Sequence, residues 1–123
     1  MYDLVLICST IPNRQDLLDK SIQTWTQSIE KSGLNACIRI YSEKYNPTSE
    51  TIKELQSKFD IKTFQAKSLS GSHIKGYNHW YKRTNAKVYM LRIQKFYSLR
   101  IQFAQLMMRQ HNIMLLLPLK FIG

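Results

Sequence analysis

Four short runs of β-forming apolar residues, separated by segments with helical hydrophobic spacing, constrain this chain more than any other feature. Residues 4–8, Leu-Val-Leu-Ile-Cys, form a continuous apolar run that reads as a strand buried on both faces. Residues 9–14 form the loop after it, where Asn13 is placed to cap a helix and Asp16 suits the positive helix start. Leu18, Ile22, Trp25 and Ile29 recur at spacings of four, three and four and so share one helix face, which Gly33 ends as a left-handed cap. Residues 36–41 read as a second strand. Asn46-Pro47 is predicted to open a second helix, with the proline in its first turn and a stripe of Ile52, Leu55 and Phe59. Residues 61–64 make a short third strand and 68–72 a loop. A third helix follows, with Ile74, Tyr77 and Tyr81 on one face, and then a fourth strand over 87–93. The order β-α-β-α-β-α-β predicts an α/β fold: an open, mostly parallel, Rossmann-like sheet with right-handed crossovers and helices on both faces. Ligands in such sheets lie at the carboxyl ends of the strands, here residues 9–14, 42–46 and 68–75.

Charge divides the chain in two. The 123 residues carry 18 Lys and Arg against 8 Asp and Glu, a net charge of +10, which favours polyanionic partners. All eight acids (Asp3, Asp16, Asp19, Glu30, Glu43, Glu50, Glu54 and Asp60) lie in residues 1–60, beside seven Lys and Arg. Residues 61–123 hold the other eleven Lys and Arg and no acid, where ordinary composition would supply about eight. Four of the five methionines fall after residue 89. The expected organisation is therefore an α/β unit over 1–90 and a basic apolar tail over 91–123. Two explanations of that tail stand side by side. One is a segment selected to bind a polyanion. The other is a frame-slipped or truncated end never selected as protein.

Cys8 and Cys37 each sit inside an apolar run, which reads as buried reduced thiols in a cytoplasmic protein. No CxxC or Cys/His cluster is present, against a zinc site. The opening Met-Tyr-Asp-Leu lacks the basic start of a secretory signal. The apolar stretch at 113–117 is broken by Pro118 and Lys120, far short of the roughly 20 residues a membrane span requires.

There is no GxGxxG and no GxxxxGK[ST], against a dehydrogenase or a P-loop enzyme. The opening segment is more specific. Leu4-Val5-Leu6-Ile7-Cys8-Ser9-Thr10-Ile11-Pro12-Asn13-Arg14, with Leu17, Leu18, Ser21, Ile22 and Trp25 after it, resembles the opening of the inverting A-type glycosyltransferases, which use nucleotide sugars. There an apolar strand runs into a Pro/Asn/Arg loop that cradles the nucleotide base. Lys75 and Asn78, ahead of Ala86-Lys87-Val88-Tyr89, are similar to a basic residue and an Asn that the family carries before its fourth strand. The resemblance covers residues 2–90. It implies the N-terminal nucleotide-binding half of the fold and a nucleotide diphosphate sugar as ligand. Thr10, Pro12, Asn13, Arg14 and Glu43 would face base and ribose. Lys75 and Asn78 would face ribose or diphosphate.

The departures bear on chemistry. The family holds Mg or Mn through an acidic motif at the end of the fourth strand, because hard cations need carboxylate oxygens. Here that strand continues Met90-Leu91-Arg92-Ile93-Gln94-Lys95, so no metal is expected to bind firmly. No acid after Asp60 can serve as the general base that activates an acceptor hydroxyl. The chain is thus expected to bind a nucleotide and to catalyse no sugar transfer. His73 and His79 lie six apart, a spacing that does not place a metal pair on one helix face. A second function remains open: a small basic α/β module for nucleic acid or an anionic membrane surface. Trp80 and Tyr81 beside Lys82 and Arg83 could stack bases, although a helix with one core face and one basic face is the plainer explanation. Phe96, Leu99, Phe103 and Leu106 repeat at helical spacing among Lys95, Arg100 and Arg109, as in a helix lying on a membrane surface. Residues 113–122 read either as a last strand or as a collapsed tail.

Overall fold

The apolar run near the N-terminus becomes the central strand of a parallel sheet. The computed structural model describes residues 1–70, 73–92 and 114–116. In chain order the elements are β1 (Tyr2–Thr10), α1 (Gln15–Ser32), β2 (Ala36–Glu43), α2 (Glu50–Gln56), β3 (Ile61–Ala66), α3 (His73–Tyr81), β4 (Ala86–Arg92) and β5 (Met114–Leu116). The strands lie in the order β3-β2-β1-β4-β5, all parallel. Leu6 of β1 is in register with Ile38 on one side and Met90 on the other.

This order explains the two cores. The chain steps outward from β1 to β2 to β3, then returns across the sheet to β4 on the far side of β1. Right-handed crossovers in opposite directions put their helices on opposite faces. Accordingly, Leu18, Ile22, Trp25 and Ile29 of α1 and Ile52 of α2 pack with Leu4, Leu6, Cys8, Ile38, Ile40, Val88 and Met90. Tyr77 and Trp80 of α3 pack on the other face with Val5, Ile7, Cys37, Tyr41 and Leu91. Because β1 is covered on both faces, Leu4 to Cys8 are all fully buried and the alternation of a one-sided strand is missing.

Three local expectations are corrected. Asn13 does not cap α1. It adopts φ 71°, a left-handed conformation that Asn tolerates, and Arg14 takes the cap position without a side-chain cap bond. Pro47 does not open α2. That helix starts at Glu50 behind Ser49, whose hydroxyl accepts the Ile52 N–H at 3.2 Å, while Pro47 stays buried in the loop. The inner face of α3 is Gly76, Tyr77 and Trp80, whereas Ile74 and Tyr81 are 52% and 48% exposed. The reason is Gly76. A Cβ at that position would lie 2.2 Å from Ser9 Oγ and 2.9 Å from Tyr41 Cβ, so the absence of a side chain draws this side of the helix onto β1 and β2. Trp80 then reaches the sheet, its indole N–H donating to the Ile40 carbonyl at 3.1 Å.

The helical repeat over 96–106 lies outside the described residues, as do Lys95, Arg100, Arg109 and His111. Within 113–122, Met114–Leu116 form β5, parallel to β4.

Candidate functional site

Strand order locates the site. The chain leaves β1 toward one edge of the sheet and leaves β4 toward the other, so the topological switch point, where such sheets take ligands, lies above the carboxyl ends of β1 and β4, where Cys8 is in register with Arg92. Above β1 stands the 11–14 turn. Asn13 and Arg14 are exposed and Pro12 is half-buried. The left-handed Asn13 turns the backbone between the strand and α1.

Thr10 and Glu43 both bond to neighbouring loops. Thr10 is 2% exposed, and its Oγ1 lies 2.8 Å from the Tyr45 hydroxyl. Ser42 donates from its hydroxyl to the Tyr45 carbonyl. Gln15 donates to Asp19 at 2.8 Å and to the Pro47 carbonyl at 2.9 Å, and Ser49 donates to Asp19 at 2.8 Å. Together these bonds lace the loop after β1 to the loop after β2. Glu43, 2% exposed, accepts from the Ser70 N–H at 3.1 Å and from the Ser70 hydroxyl, tying the end of β2 to the loop after β3. Both side chains are thus engaged in bonds between loops at the carboxyl ends of the strands.

Lys75 and Asn78 are exposed, and with Gly76, Tyr77 and Trp80 facing inward they occupy the outer side of α3. Lys75 stands in the first turn, at the carboxyl edge of the sheet, with a long stem that can reach over the rim. Asn78 lies one turn further from that edge.

Among the described residues, β4, with the sequence Ala-Lys-Val-Tyr-Met-Leu-Arg, offers no carboxylate to a divalent cation. The Asp19 and Glu43 carboxylates accept the hydrogen bonds just described. Among the described residues no group of three His, Cys, Asp or Glu could hold a metal. No helix among them is long and apolar enough to cross a membrane.

Two further clusters lie on the α3 face. Arg39, 3% exposed in the middle of β2, donates to Asp60 Oδ1 at 2.9 Å, and Tyr2 donates its hydroxyl to Asp60 Oδ2. The guanidinium also lies 5.7 Å from the Trp80 ring and 5.5 Å from the Tyr2 ring. Burial pushes the Asp60 carboxyl up, but the hydrogen bonds from Arg39 and Tyr2 outweigh it and hold the group below its usual range. Nearer the outer edge, the rings of Phe64 and His79 lie 3.9 Å apart, with Tyr41 stacked on Phe64 at 5.6 Å. Burial, followed by the Arg83 charge, lowers the pKa of His79. The sequence treats Phe64 only as a strand residue and His79 only as a surface histidine. No local pattern marks the pair, whose rings meet only when α3 folds back onto the sheet. No family model matches the chain, and no curated protein and no solved structure matches it. The class defined by the fold is an α/β protein with an open parallel sheet and Rossmann-like alternation.

Proposed function

We propose that this chain is a nucleoside-diphosphate-binding unit, the nucleotide-binding half of an inverting A-type nucleotide-sugar glycosyltransferase, and that it binds its ligand without turning it over. The observation that carries this reading is the reversal of strand order at β1 and β4, with the exposed Asn13–Arg14 turn directly above it. Base and ribose would meet the backbone of this turn and the Asn13 amide. Arg14 supplies a planar donor fork for a phosphate, and Lys75 a second cation from the α3 side. Thr10 and Glu43 support the reading indirectly, because their loop-to-loop bonds hold the rim in place before any ligand arrives.

The missing carboxylates set the limit. A metal at the diphosphate would need oxygen ligands, and the sequence carries no acid after Asp60 to supply them at the end of β4. Without a positioned base, the acceptor hydroxyl loses roughly 10²–10⁴ in rate. The test is calorimetric titration of the 123-residue chain with nucleoside diphosphates, with and without Mg²⁺ or Mn²⁺. Binding should be weak, indifferent to the metal and reduced by Arg14→Ala, with no sugar transferred. Metal-dependent turnover of a nucleotide sugar would overturn the reading.

A further inference from the structure

Among the described residues the sheet ends at β3, whose outer side has no neighbouring strand in the sheet order. Lys62 and Phe64 share the α3 face of β3, in register with Arg39 and Tyr41. Phe64 is 39% exposed, a large fraction for an aromatic ring on a strand. His79 packs against it, and Arg83 donates to the His79 carbonyl at 2.8 Å. On α3, Lys75 and His79 are spaced i, i+4 and Lys82 follows, so cations line the same side of the helix as the imidazole. Lys62, Lys75, Lys82 and Arg83 are all exposed. The nearby carboxylates are already engaged, Asp60 by Arg39 and Tyr2, and Glu43 by Ser70.

We propose that Phe64 and His79, framed by Lys62, Lys75, Lys82 and Arg83, form a stacking platform for an unpaired base of a single-stranded nucleic acid. Aromatic rings accept any base by its flat face, and flanking cations track the phosphates. The charge pattern selects this occupant over another copy of the chain. Two molecules of net charge +10 repel, and Lys62 and Lys67 blunt the pairing of this edge with another strand. The platform shares Lys75 with the site assigned to the nucleoside diphosphate, but its rings, Phe64 and His79, are not among the residues assigned there and the proposal does not depend on that assignment.

The experiment is fluorescence anisotropy with a labelled ten-nucleotide oligothymidylate, a duplex of equal length, and vesicles of mixed phosphatidylserine and phosphatidylcholine. The single strand should bind, and Phe64→Ala should weaken it about 5- to 150-fold, the range of one lost stacking contact. Phe64→Trp should restore it. Raising salt from about 50 to 200 mM should cost about 20-fold if three phosphates are neutralised. Duplex binding should be indifferent to Phe64→Ala, and nucleoside diphosphate binding should be unchanged in that variant. Circular dichroism checks that the variant is folded. Single-strand binding unaffected by Phe64→Ala overturns the proposal, as does binding to vesicles that depends on Phe64 while the oligonucleotide does not bind.

Discussion

Replacing Gly76 with alanine perturbs the contact that brings α3 onto the sheet. The new Cβ would lie 2.2 Å from Ser9 Oγ and 2.9 Å from Tyr41 Cβ. Ser9 can rotate its hydroxyl, but Tyr41 Cβ is bonded directly to the backbone of β2, between β1 and β3, and cannot swing away. Overpacking of this kind costs about 1–3 kcal/mol. Alanine returns about 1 kcal/mol through its higher helix propensity. The rigid contact places the cost in the upper part of that range, so the net loss should be about 2 kcal/mol. In urea this lowers the unfolding midpoint by about 1 M at a slope near 2 kcal/mol/M, with the slope unchanged. Adding Ser9→Ala should recover only part of the loss, since the Tyr41 contact persists. A Gly76→Ala midpoint equal to or above that of the parent would refute the close approach of α3.

Other expected outcomes rest on separate contacts. Asp60→Asn removes the negative charge beside a guanidinium that is 3% exposed while leaving an acceptor oxygen, and should cost about 1–3 kcal/mol by urea unfolding, more than Arg39→Met, which removes the buried charge itself. The Asp60 carboxyl lies below its usual 3.8, so its contribution is present above that pH and lost as pH falls through the lower folded value; acid titration of stability should show this limb in the parent and not in Asp60→Asn. Burial pushes the Cys37 thiol up to about 12, and Cys8 is also buried, so neither should react with maleimide at neutral pH until the chain is unfolded, as read by mass spectrometry. At φ 71°, Asn13→Ala should lose about 1 kcal/mol while Asn13→Gly keeps full stability, which lets the glycine variant report the amide's share in nucleotide binding alone.

Where the sequence was informative, the reason is physical. The α1 stripe of Leu18, Ile22, Trp25 and Ile29 is buried as its spacing requires, and the apolar run of β1 is the central strand. Both signals arise from burial, which acts on every residue of a long element. The start of α2 was misplaced because Pro47 and Ser49 both suit a helix beginning, and only the Ser49 bond to Ile52 decides between them. The face of α3 was misread because Tyr77 and Tyr81 look alike in a pattern of apolar residues, while Gly76, with no side chain, determines the approach. In the candidate site, the exposure of Asn13 and Arg14 agrees with a loop at a strand end. The engagement of Thr10 with Tyr45 and of Glu43 with Ser70 depends on contacts between separate loops, which no local pattern carries.

An amide-resolved NMR titration with a nucleoside diphosphate tests the central claim most directly. The account predicts shifts concentrated in residues 9–15, at the carboxyl end of β4 and in the first turn of α3, of the same size with and without Mn²⁺-mimicking Mg²⁺. Shifts confined to the amino ends of the strands around Tyr2, Asn35 and Asn85, or no shifts at millimolar ligand, would contradict it.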